Sequence, residues 1–248
     1  MSQTLDAGPG IFITFEGGDG AGKTTHINFL AFALRAMGYD VVCLREPGGT
    51  AIGEALRSVV LDADNAMMAD ETELLIYEAA RAQIVREVIA PSLAQGKVVL
   101  CDRFYDSTVA YQHYGRGLSL EFVHQVNAFA CQGVHPCRTI VLTTEGDAET
   151  GLDRATHHGE ADRLEQAGTT FHSNVNQAFL TIAEENDERI RVVSSSSEKD
   201  VTARHIFSEL ADIFAWDMDA DFPLSFFQPI LEADTSFKAV VNQDLNHA

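Results

Sequence analysis

The sequence has few basic residues and no long apolar segment. Its 248 residues carry 17 Lys and Arg against 37 Asp and Glu, which gives a formal net charge of −20. A surface of this sign disfavours nucleic acid and anionic membranes as partners, because both require a basic face. No apolar run reaches the length of about 18 residues that a transmembrane helix needs. The first ten residues lack the basic and apolar regions of a secretory signal.

Cysteine is also scarce, and the four cysteines do not form a metal-binding pattern. The nearest pair, Cys131 and Cys137, is separated by five residues, which does not fit a zinc motif. Cys43 and Cys101 lie in apolar runs that are typical of buried thiols. We therefore expect a reduced, cytoplasmic protein without a structural zinc site.

Short apolar runs alternate with longer helical patterns along the chain. The runs are rich in Val, Ile, Leu and Phe without strict polar alternation, as in strands that are buried on both faces of a parallel sheet. The predicted strands are residues 11–15, 41–44, 98–101, 140–143 and 190–193. The predicted helices are residues 22–37, 71–90, 120–131, 171–186 and 199–215. This alternation predicts an α/β domain with a five-stranded parallel sheet flanked by helices.

Two segments differ in composition from this predicted core. Residues 144–168 are polar and contain four glycines, which suggests a short mobile lid. Residues 216–248 contain six acids against one lysine, together with an apolar patch at 224–231. We therefore expect one domain over residues 1–215 and an acidic C-terminal extension over residues 216–248, either packed or flexible.

A glycine-rich loop follows the first predicted strand. It fits G-x-x-x-x-G-K-[ST] at every position and opens a helix, which is the context that confirms a phosphate-binding P-loop. Its backbone N–H groups and the helix N-terminus favour phosphate. Lys23 is predicted to reach the β- and γ-phosphates, and the Thr24 hydroxyl to hold Mg²⁺. The predicted ATP-binding residues are Gly17, Gly18, Asp19, Gly20, Ala21, Gly22, Lys23, Thr24 and Thr25.

Several separated motifs together resemble the bacterial-type thymidylate kinase family. They are residues 15–25 (FEGGDGAGKTT), 45–50 (REPGGT), 80–83 (ARAQ), 102–112 (DRFYDSTVAYQ) and 115–117 (GRG). The resemblance implies a P-loop nucleotide kinase fold and ATP-dependent phosphorylation of dTMP to dTDP in dTTP biosynthesis. Two alternatives remain at this point: a kinase for another nucleoside monophosphate such as dUMP, and an inactive P-loop nucleotide-binding homologue.

The same resemblance implies an acceptor site. Arg103 is a planar fork suited to phosphate, and the family pattern places it on the phosphate of dTMP. Tyr77 is expected to stack on thymine, and Arg81, four residues along the same helix, to donate to O4 of the base. Thr108 is expected near N3, and Tyr111 beneath the sugar. The predicted dTMP-binding residues are Asp19, Glu46, Pro47, Tyr77, Arg81, Arg103, Thr108, Tyr111 and Gln112.

Catalysis in this family combines positive charge with a closing lid. Asp102, at the end of a predicted strand, is expected to support Mg²⁺ together with Thr24. Family members with Gly at the position of Gly20 usually supply an arginine from the lid, and here Arg154 is the first choice, with Arg163 in reserve. The predicted catalytic residues are Lys23, Arg103, Arg154 and Asp19.

The expected partners are the two small-molecule substrates and a second copy of the chain. Family members are usually homodimers that pair through helices. The predicted helix over residues 71–90 carries a possible pairing stripe, although the same residues suit an intramolecular core. The stripe comprises Leu75, Ala79, Ala82, Val85 and Ile89.

Overall fold

The computed structural model describes residues 10–144, 162–195 and 198–232. Five strands form one parallel sheet in the order β2-β3-β1-β4-β5. They are β1 (Ile11–Glu16), β2 (Val41–Arg45), β3 (Val98–Asp102), β4 (Arg138–Thr143) and β5 (Ile190–Ser194). The sheet confirms the predicted α/β class. Each strand extends one or two residues beyond its predicted limits because polar terminal residues, such as Arg45 and Asp102, continue the hydrogen-bonded pairing.

Helices cover both faces of the sheet. They are α1 (Lys23–Ala36), α2 (Ala51–Leu61), α3 (Asp70–Ile84), α4 (Ala90–Ala94), α5 (Tyr105–Thr108), α6 (Leu120–Cys131), α7 (Thr169–Glu185), α8 (Lys199–Phe214), α9 (Met218–Asp221), α10 (Leu224–Phe227) and α11 (Pro229–Glu232). Two π-helical stretches, Val85–Ile89 and Val109–Gly115, continue α3 and α5. Across the described ranges, no helix combines the length and the apolarity needed to span a membrane.

The single helix predicted over residues 71–90 is interrupted. The π-helical stretch Val85–Ile89 separates α3 from α4, where Pro91 lies in the first turn. Because proline has no N–H, the regular i to i−4 ladder cannot be completed at this point. The wider turn also changes which residues share a face, since one residue more than usual is accommodated per turn.

Helix α2 was not predicted from the sequence. The family resemblance predicts that residues 45–50 form a loop shaping the acceptor pocket, and the glycine pair Gly48–Gly49 suits a simple turn after the second strand equally well. In the structure, Thr50 caps α2, and its hydroxyl accepts a hydrogen bond of 2.9 Å from the backbone N–H of Gly53. An N-terminal Thr cap is a standard start signal for a helix, so the missed helix had a detectable cue.

The core lies on both sides of the sheet because successive strand residues point to opposite faces. On one side, Ile13 and Leu100 pack against α1 and α8. On the other side, Phe12 and Val99 pack with residues of the π-helical stretch Val85–Ile89 and α4. A third cluster joins the π-helical stretch Val109–Gly115 to α7.

Residues 216–232 lie against α1 and α8 and extend the first of these core layers. Trp216 stacks on Phe214 with ring centroids 4.5 Å apart, and Phe222 and Phe227 are both 1% exposed. The rings that contact one another in this aromatic layer are those of Phe29, Phe207, Phe214, Trp216, Phe222, Phe226 and Phe227. The remaining residues of the extension, 233–248, lie outside the described part of the chain.

Candidate active site

The sequence motifs meet at the carboxyl edge of the sheet. Phe15 of β1 lies beside Asp102 of β3, which in turn lies beside Arg45 of β2, so the three strands end at one level. The P-loop, residues 46–50 and Arg103 follow these three strand ends. Ligands of open α/β sheets bind at this edge, between connections that leave in different directions.

The P-loop packs closely against its neighbours at two of its glycines, and at Gly17 the obstacle to a side chain is backbone. Gly17 has φ of +125°, and a Cβ placed there would lie 2.2 Å from the carbonyl oxygen of Leu142. A Cβ at Gly18 would lie 2.2 Å from Oδ1 of Asn176 in α7. The loop is therefore held between β4 and α7 with its backbone close to both.

Lys23 is folded back onto the loop that precedes it. Its Nζ donates to the carbonyl oxygens of Gly17 at 3.0 Å and Gly18 at 2.8 Å. Burial, reinforced by the positive charge of Arg103, lowers the pKa of Lys23 to about 8. An anionic phosphate beside Nζ would reverse this shift, because a nearby negative charge favours the ammonium form.

Two oxygen-bearing side chains meet beside the P-loop. The Thr24 hydroxyl donates to Oδ2 of Asp102 at 2.8 Å. Both groups are oxygen ligands of the kind that Mg²⁺ prefers. Within the described residues there is no cluster of three or more His, Cys, Asp or Glu side chains that could hold a metal. The pair therefore fits an ion whose remaining ligands are phosphate oxygens and water, as nucleotide-bound Mg²⁺ requires.

A cavity of about 180 Å³ lies next to the P-loop. The predicted acceptor residues come from four separate segments, and the structure brings them together around this space. Those lining this space, called the acceptor cavity after their predicted role, are Asp19, Glu46, Pro47, Tyr77, Arg81, Arg103, Thr108, Tyr111 and Gln112. A second cavity, of about 620 Å³, borders Gly17, Gly18 and Ala21 on the side of Thr144 and α7.

Arg103 occupies a sharp turn between β3 and α5. Its φ of 70° is unusual for a residue with a side chain, and such strain is found where a site requires one orientation. The guanidinium Nη1 donates to the carbonyl oxygen of Gly17 at 3.1 Å, and Nη2 pairs with Asp19. The guanidinium carbon lies 5.1 Å from the ring centre of Tyr111. Arg103 thus joins the P-loop directly to the acceptor cavity.

Glu16 anchors this turn from beneath. Its carboxylate accepts the backbone N–H of Phe104 at 2.8 Å and the hydroxyl of Ser107. Burial, with a further contribution from the charge of Asp106, raises the pKa of Glu16 to about 8. The hydrogen bonds of Glu16, the last residue of β1, therefore position the N-terminus of α5, which carries the cavity residues Thr108 and, in its continuation, Tyr111.

Arg81 is the centre of a buried polar cluster. Its Nε donates to Oε2 of Glu46 at 2.8 Å, and its Nη1 donates to Oγ1 of Thr108 and Oδ1 of Asn127, each at 2.8 Å. Nη1 also pairs with Glu78. Arg81 is 2% exposed, so these contacts fix its guanidinium at the wall of the cavity. Burial raises the pKa of Glu46 to about 7 despite the opposing effect of Arg81.

Glu73 connects the acceptor cavity to the C-terminal part of the predicted lid segment, at Arg163. Its carboxylate receives Nε2 of Gln112 at 2.9 Å, Nη2 of Arg116 at 2.9 Å and Nη2 of Arg163. Burial opposes ionisation, yet these donors lower the pKa of Glu73 overall. Arg163 also donates from Nε to the carbonyl oxygen of Val60 at 2.9 Å. The structure thus ties Arg163 to α2 and α3, whereas Arg154 lies outside the described residues.

Several residues of the site were missed by sequence reasoning. Arg57 of α2 lines the acceptor cavity and donates to the carbonyl oxygen of Pro47 at 3.0 Å. Glu16, Glu73 and Glu78 are buried acids that hold the basic and hydroxyl groups described above. A usable signal existed for Glu78, because it falls at helical spacing between Leu74 and Arg81 on the buried side of α3.

The predicted pairing stripe is not one surface. Leu75 is 53% exposed, but Val85 and Ile89 are fully buried against the sheet. Val85 and Ile89 thus follow the alternative prediction, an intramolecular core, and the π-helical stretch that begins at Val85 shifts the later residues relative to the face defined by α3.

Comparison with known proteins identifies the family. The sequence matches the family described as Thymidylate kinase over residues 15–206. The chain belongs to the thymidylate kinase family. The thymidylate kinase of Pelobacter propionicus is 47% identical to it over 193 residues, which cover 75% of this chain and 87% of that relative. The thymidylate kinase of Deinococcus radiodurans is 44% identical over 203 residues, covering 82% and 97% respectively.

A solved structure agrees with the observed fold. The crystal structure of thymidylate kinase from Ehrlichia chaffeensis superposes with a TM-score of 0.68 at 33% identity, covering 82% of this chain and 100% of that one. These findings confirm the family resemblance and the P-loop kinase fold that the motifs predicted. The thymidylate kinase family match ends at residue 206, so the aromatic layer over α1 and α8 is built in part from residues that lie beyond it.

Proposed function

We propose that this thymidylate kinase binds both substrates at the carboxyl edge of its sheet and transfers the γ-phosphoryl group of ATP to dTMP, giving dTDP and ADP. The contact between Arg103 and the P-loop carries this proposal. Arg103 lines the acceptor cavity, and its Nη1 lies 3.1 Å from the carbonyl oxygen of Gly17. One side chain therefore spans the gap between the two phosphate-binding regions, as direct transfer between bound phosphates requires.

On the acceptor side, we assign the phosphate of dTMP to Arg103, supported by Arg57. Tyr77 and Tyr111 supply aromatic surfaces for the base and the sugar, and both line the cavity. Arg81 and Thr108 face the hydrogen-bonding edge of the base. Asp19 pairs with Arg103 and accepts the Tyr111 hydroxyl at 3.3 Å, contacts that support its proposed role near the sugar and the acceptor phosphate.

On the donor side, Lys23 and the P-loop backbone would hold the phosphates of ATP, and Thr24 with Asp102 would hold its Mg²⁺. The ion would neutralise charge on the phosphoryl oxygens when bound. Lys23 must then exchange its bonds to Gly17 and Gly18 for bonds to phosphate. The second pKa of a phosphate monoester is about 6, so dTMP is already a dianion at neutral pH. Its oxygen can form the new P–O bond without a general base while the bond to ADP breaks.

We assign the lid arginine to Arg154. Arg163, the reserve choice, is held by Glu73 and Val60. Replacing Arg154 by Ala should lower kcat strongly and leave the dissociation constant of dTMP nearly unchanged, because the lid contributes charge only once both substrates are in place. An unaltered kcat would remove Arg154 from the mechanism.

We infer a homodimer that pairs through α2, α3 and α6. Helix α3 contacts both α2 and α6. The three helices expose large apolar side chains, which are Ile52, Val59, Leu75, Phe122 and Phe129. Exposed apolar patches of this kind mark interaction surfaces. Light scattering should show a dimer for the wild type and a monomer for the Leu75→Glu, Phe129→Glu double variant.

A reducing cytoplasmic location fits the cysteine chemistry of the chain. All four cysteines are free, and three of them, Cys43, Cys101 and Cys131, are buried. Free thiols persist where glutathione and thioredoxin keep them reduced.

The function is tested by a coupled assay of ADP release with ATP, Mg²⁺ and each of dTMP, dUMP and dCMP. We expect dTMP to be the preferred acceptor, with dTDP as the product by chromatography. Absence of dTDP would overturn the kinase assignment, and preference for dCMP would overturn the assigned base contacts.

A further inference from the structure

Glu78 is buried behind the acceptor cavity, between two residues that line it. It belongs to α3, is 6% exposed and neighbours Tyr77 in sequence. Its Oε1 pairs with Nη1 of Arg81 and accepts the hydroxyl of Thr108 at 3.3 Å. A single carboxylate oxygen therefore contacts both side chains assigned to the edge of the base.

These contacts determine the hydrogen-bonding capacity of Thr108. A threonine hydroxyl has one hydrogen to donate and two lone pairs to accept with. The hydrogen is directed to Glu78, and one lone pair receives Nη1 of Arg81 at 2.8 Å. The other lone pair is the capacity that Oγ1 retains for a ligand in the cavity, which Thr108 lines. Thr108 thus offers an acceptor to the ligand.

Arg81 is held in the complementary role. Glu46, Glu78, Thr108 and Asn127 all accept from it, and a guanidinium has only donors to offer. The cavity wall therefore presents one donor and one acceptor side by side. The N3–H and O4 of thymine and uracil match this pair. Cytosine, with an acceptor at N3 and an amino donor at position 4, opposes it at both points.

We propose that Glu78 is a specificity-determining positioning residue, whose carboxylate fixes the proton of Thr108 and so selects 4-keto pyrimidines over cytosine. The inference rests on the proposed placement of the base beside Arg81 and Thr108. A carboxylate suits this task because it only accepts, so the Thr108 hydroxyl has no alternative orientation that keeps this bond. A site with fixed polarity rejects a mismatched base because buried polar groups are left unpaired.

Glu78→Gln tests the inference, since the amide has the same shape but no negative charge, and its oxygen holds the Thr108 hydroxyl more weakly than a carboxylate does. The Thr108 hydroxyl can then turn toward the cavity. We expect the ratio of kcat/KM for dTMP to that for dCMP to fall by about 10–100-fold. The ratio for dTMP to dUMP should stay within about twofold, because these two bases share the same edge. Glu71→Gln, on the exposed side of the same helix, is the matched control and should change neither ratio.

Two further measurements separate positioning from structural support. Glu78→Asp keeps the negative charge but retracts the carboxylate from both Arg81 and Thr108, and should lower the dTMP:dCMP ratio in the same direction. In a Thr108→Val background, Glu78→Gln should have no additional effect on that ratio. Equal losses for dTMP and dCMP in both Glu78 variants, or unchanged ratios, would overturn the proposal. Failure of the wild type to phosphorylate dTMP would overturn the proposed function itself.

Discussion

The acceptor side and the donor side of the site hold their polar groups in different ways. On the acceptor side, charged side chains pair with one another in buried clusters, as Arg81 does with Glu46 and Glu78. On the donor side, Lys23 bonds to backbone carbonyl oxygens of its own loop and Thr24 to the half-buried Asp102. The acceptor cavity is thus built from paired side chains, whereas the donor loop is built mainly from backbone.

This difference suits the acceptor side to recognition of the base and the donor side to binding of phosphate. Paired side chains with fixed polarity can distinguish one base from another, because a wrong partner leaves a buried group unsatisfied. A backbone loop with one lysine recognises phosphate charge and geometry, which are common to all nucleoside triphosphates. Substitutions on the two sides should therefore change different kinetic constants, and the following experiments test this separation.

The largest expected effect is on the donor side. Lys23→Ala removes the cation from the P-loop, and kcat should fall by about 10³–10⁴-fold, since charge stabilisation is the main source of phosphoryl-transfer catalysis. Calorimetric titration of dTMP without ATP should give a dissociation constant within about threefold of the wild type. A parallel loss of dTMP affinity would show that the two sides are not separable.

The next effect concerns the support of α1, which carries Lys23. Phe227→Ala empties a site that is 1% exposed in the aromatic layer, and should lower the free energy of unfolding by about 3 kcal/mol in denaturant titrations. Leu224→Ala, in the same short helix but 70% exposed, is the control and should cost under about 0.5 kcal/mol. At low temperature the KM for dTMP should not change, because the aromatic layer packs against α1, which carries the donor-side residue Lys23. A raised KM for dTMP would contradict that placement.

A smaller effect is expected for Arg103→Lys. Lysine keeps the charge but loses the fork that bonds to Gly17 and Asp19, so the KM for dTMP should rise by about 10–100-fold. Both residues meet the same strain at φ of 70°, so the comparison isolates the head group. The dissociation constant of ATP should be unchanged. Steady-state kinetics with each substrate varied in turn measures both effects, and a raised KM for ATP with an unchanged KM for dTMP would contradict the prediction.

The smallest effect is on the pH dependence of stability. The folded-state pKa of Glu46 is about 7, above its unfolded value of 4.5, so the folded protein binds this proton more tightly. The associated stability is full below about pH 4.5 and is lost as pH rises through 7. Relative to Glu46→Gln, the wild type should lose about 1–3 kcal/mol of unfolding free energy between pH 5 and about 8. An unchanged or opposite slope would show that Arg81 dominates Glu46.

Much of the fold was predictable because its signals are local. Five apolar runs identified the strands, and the P-loop spacing fixed the start of α1. The acceptor residues were placed by family motifs, and the structure gathers them around one cavity. The partners of these residues were not predictable, because they are distant in sequence: Glu46 lies 35 positions from Arg81, and Arg163 lies 90 from Glu73. Only the folded chain brings such residues together and buries them as pairs within the site.

The aromatic layer affects which segments of the molecule unfold last. Helix α1 packs on the sheet, and its Phe29 also contacts the rings of Phe207, Phe226 and Phe227. Backbone amides enclosed in this way exchange with solvent only when a large cooperative unit unfolds. In deuterium exchange, α1 should therefore be among the last segments to take up label. Lys23 would then lie at the start of one of the slowest-exchanging segments, which is held in part by residues beyond the end of the family match at position 206.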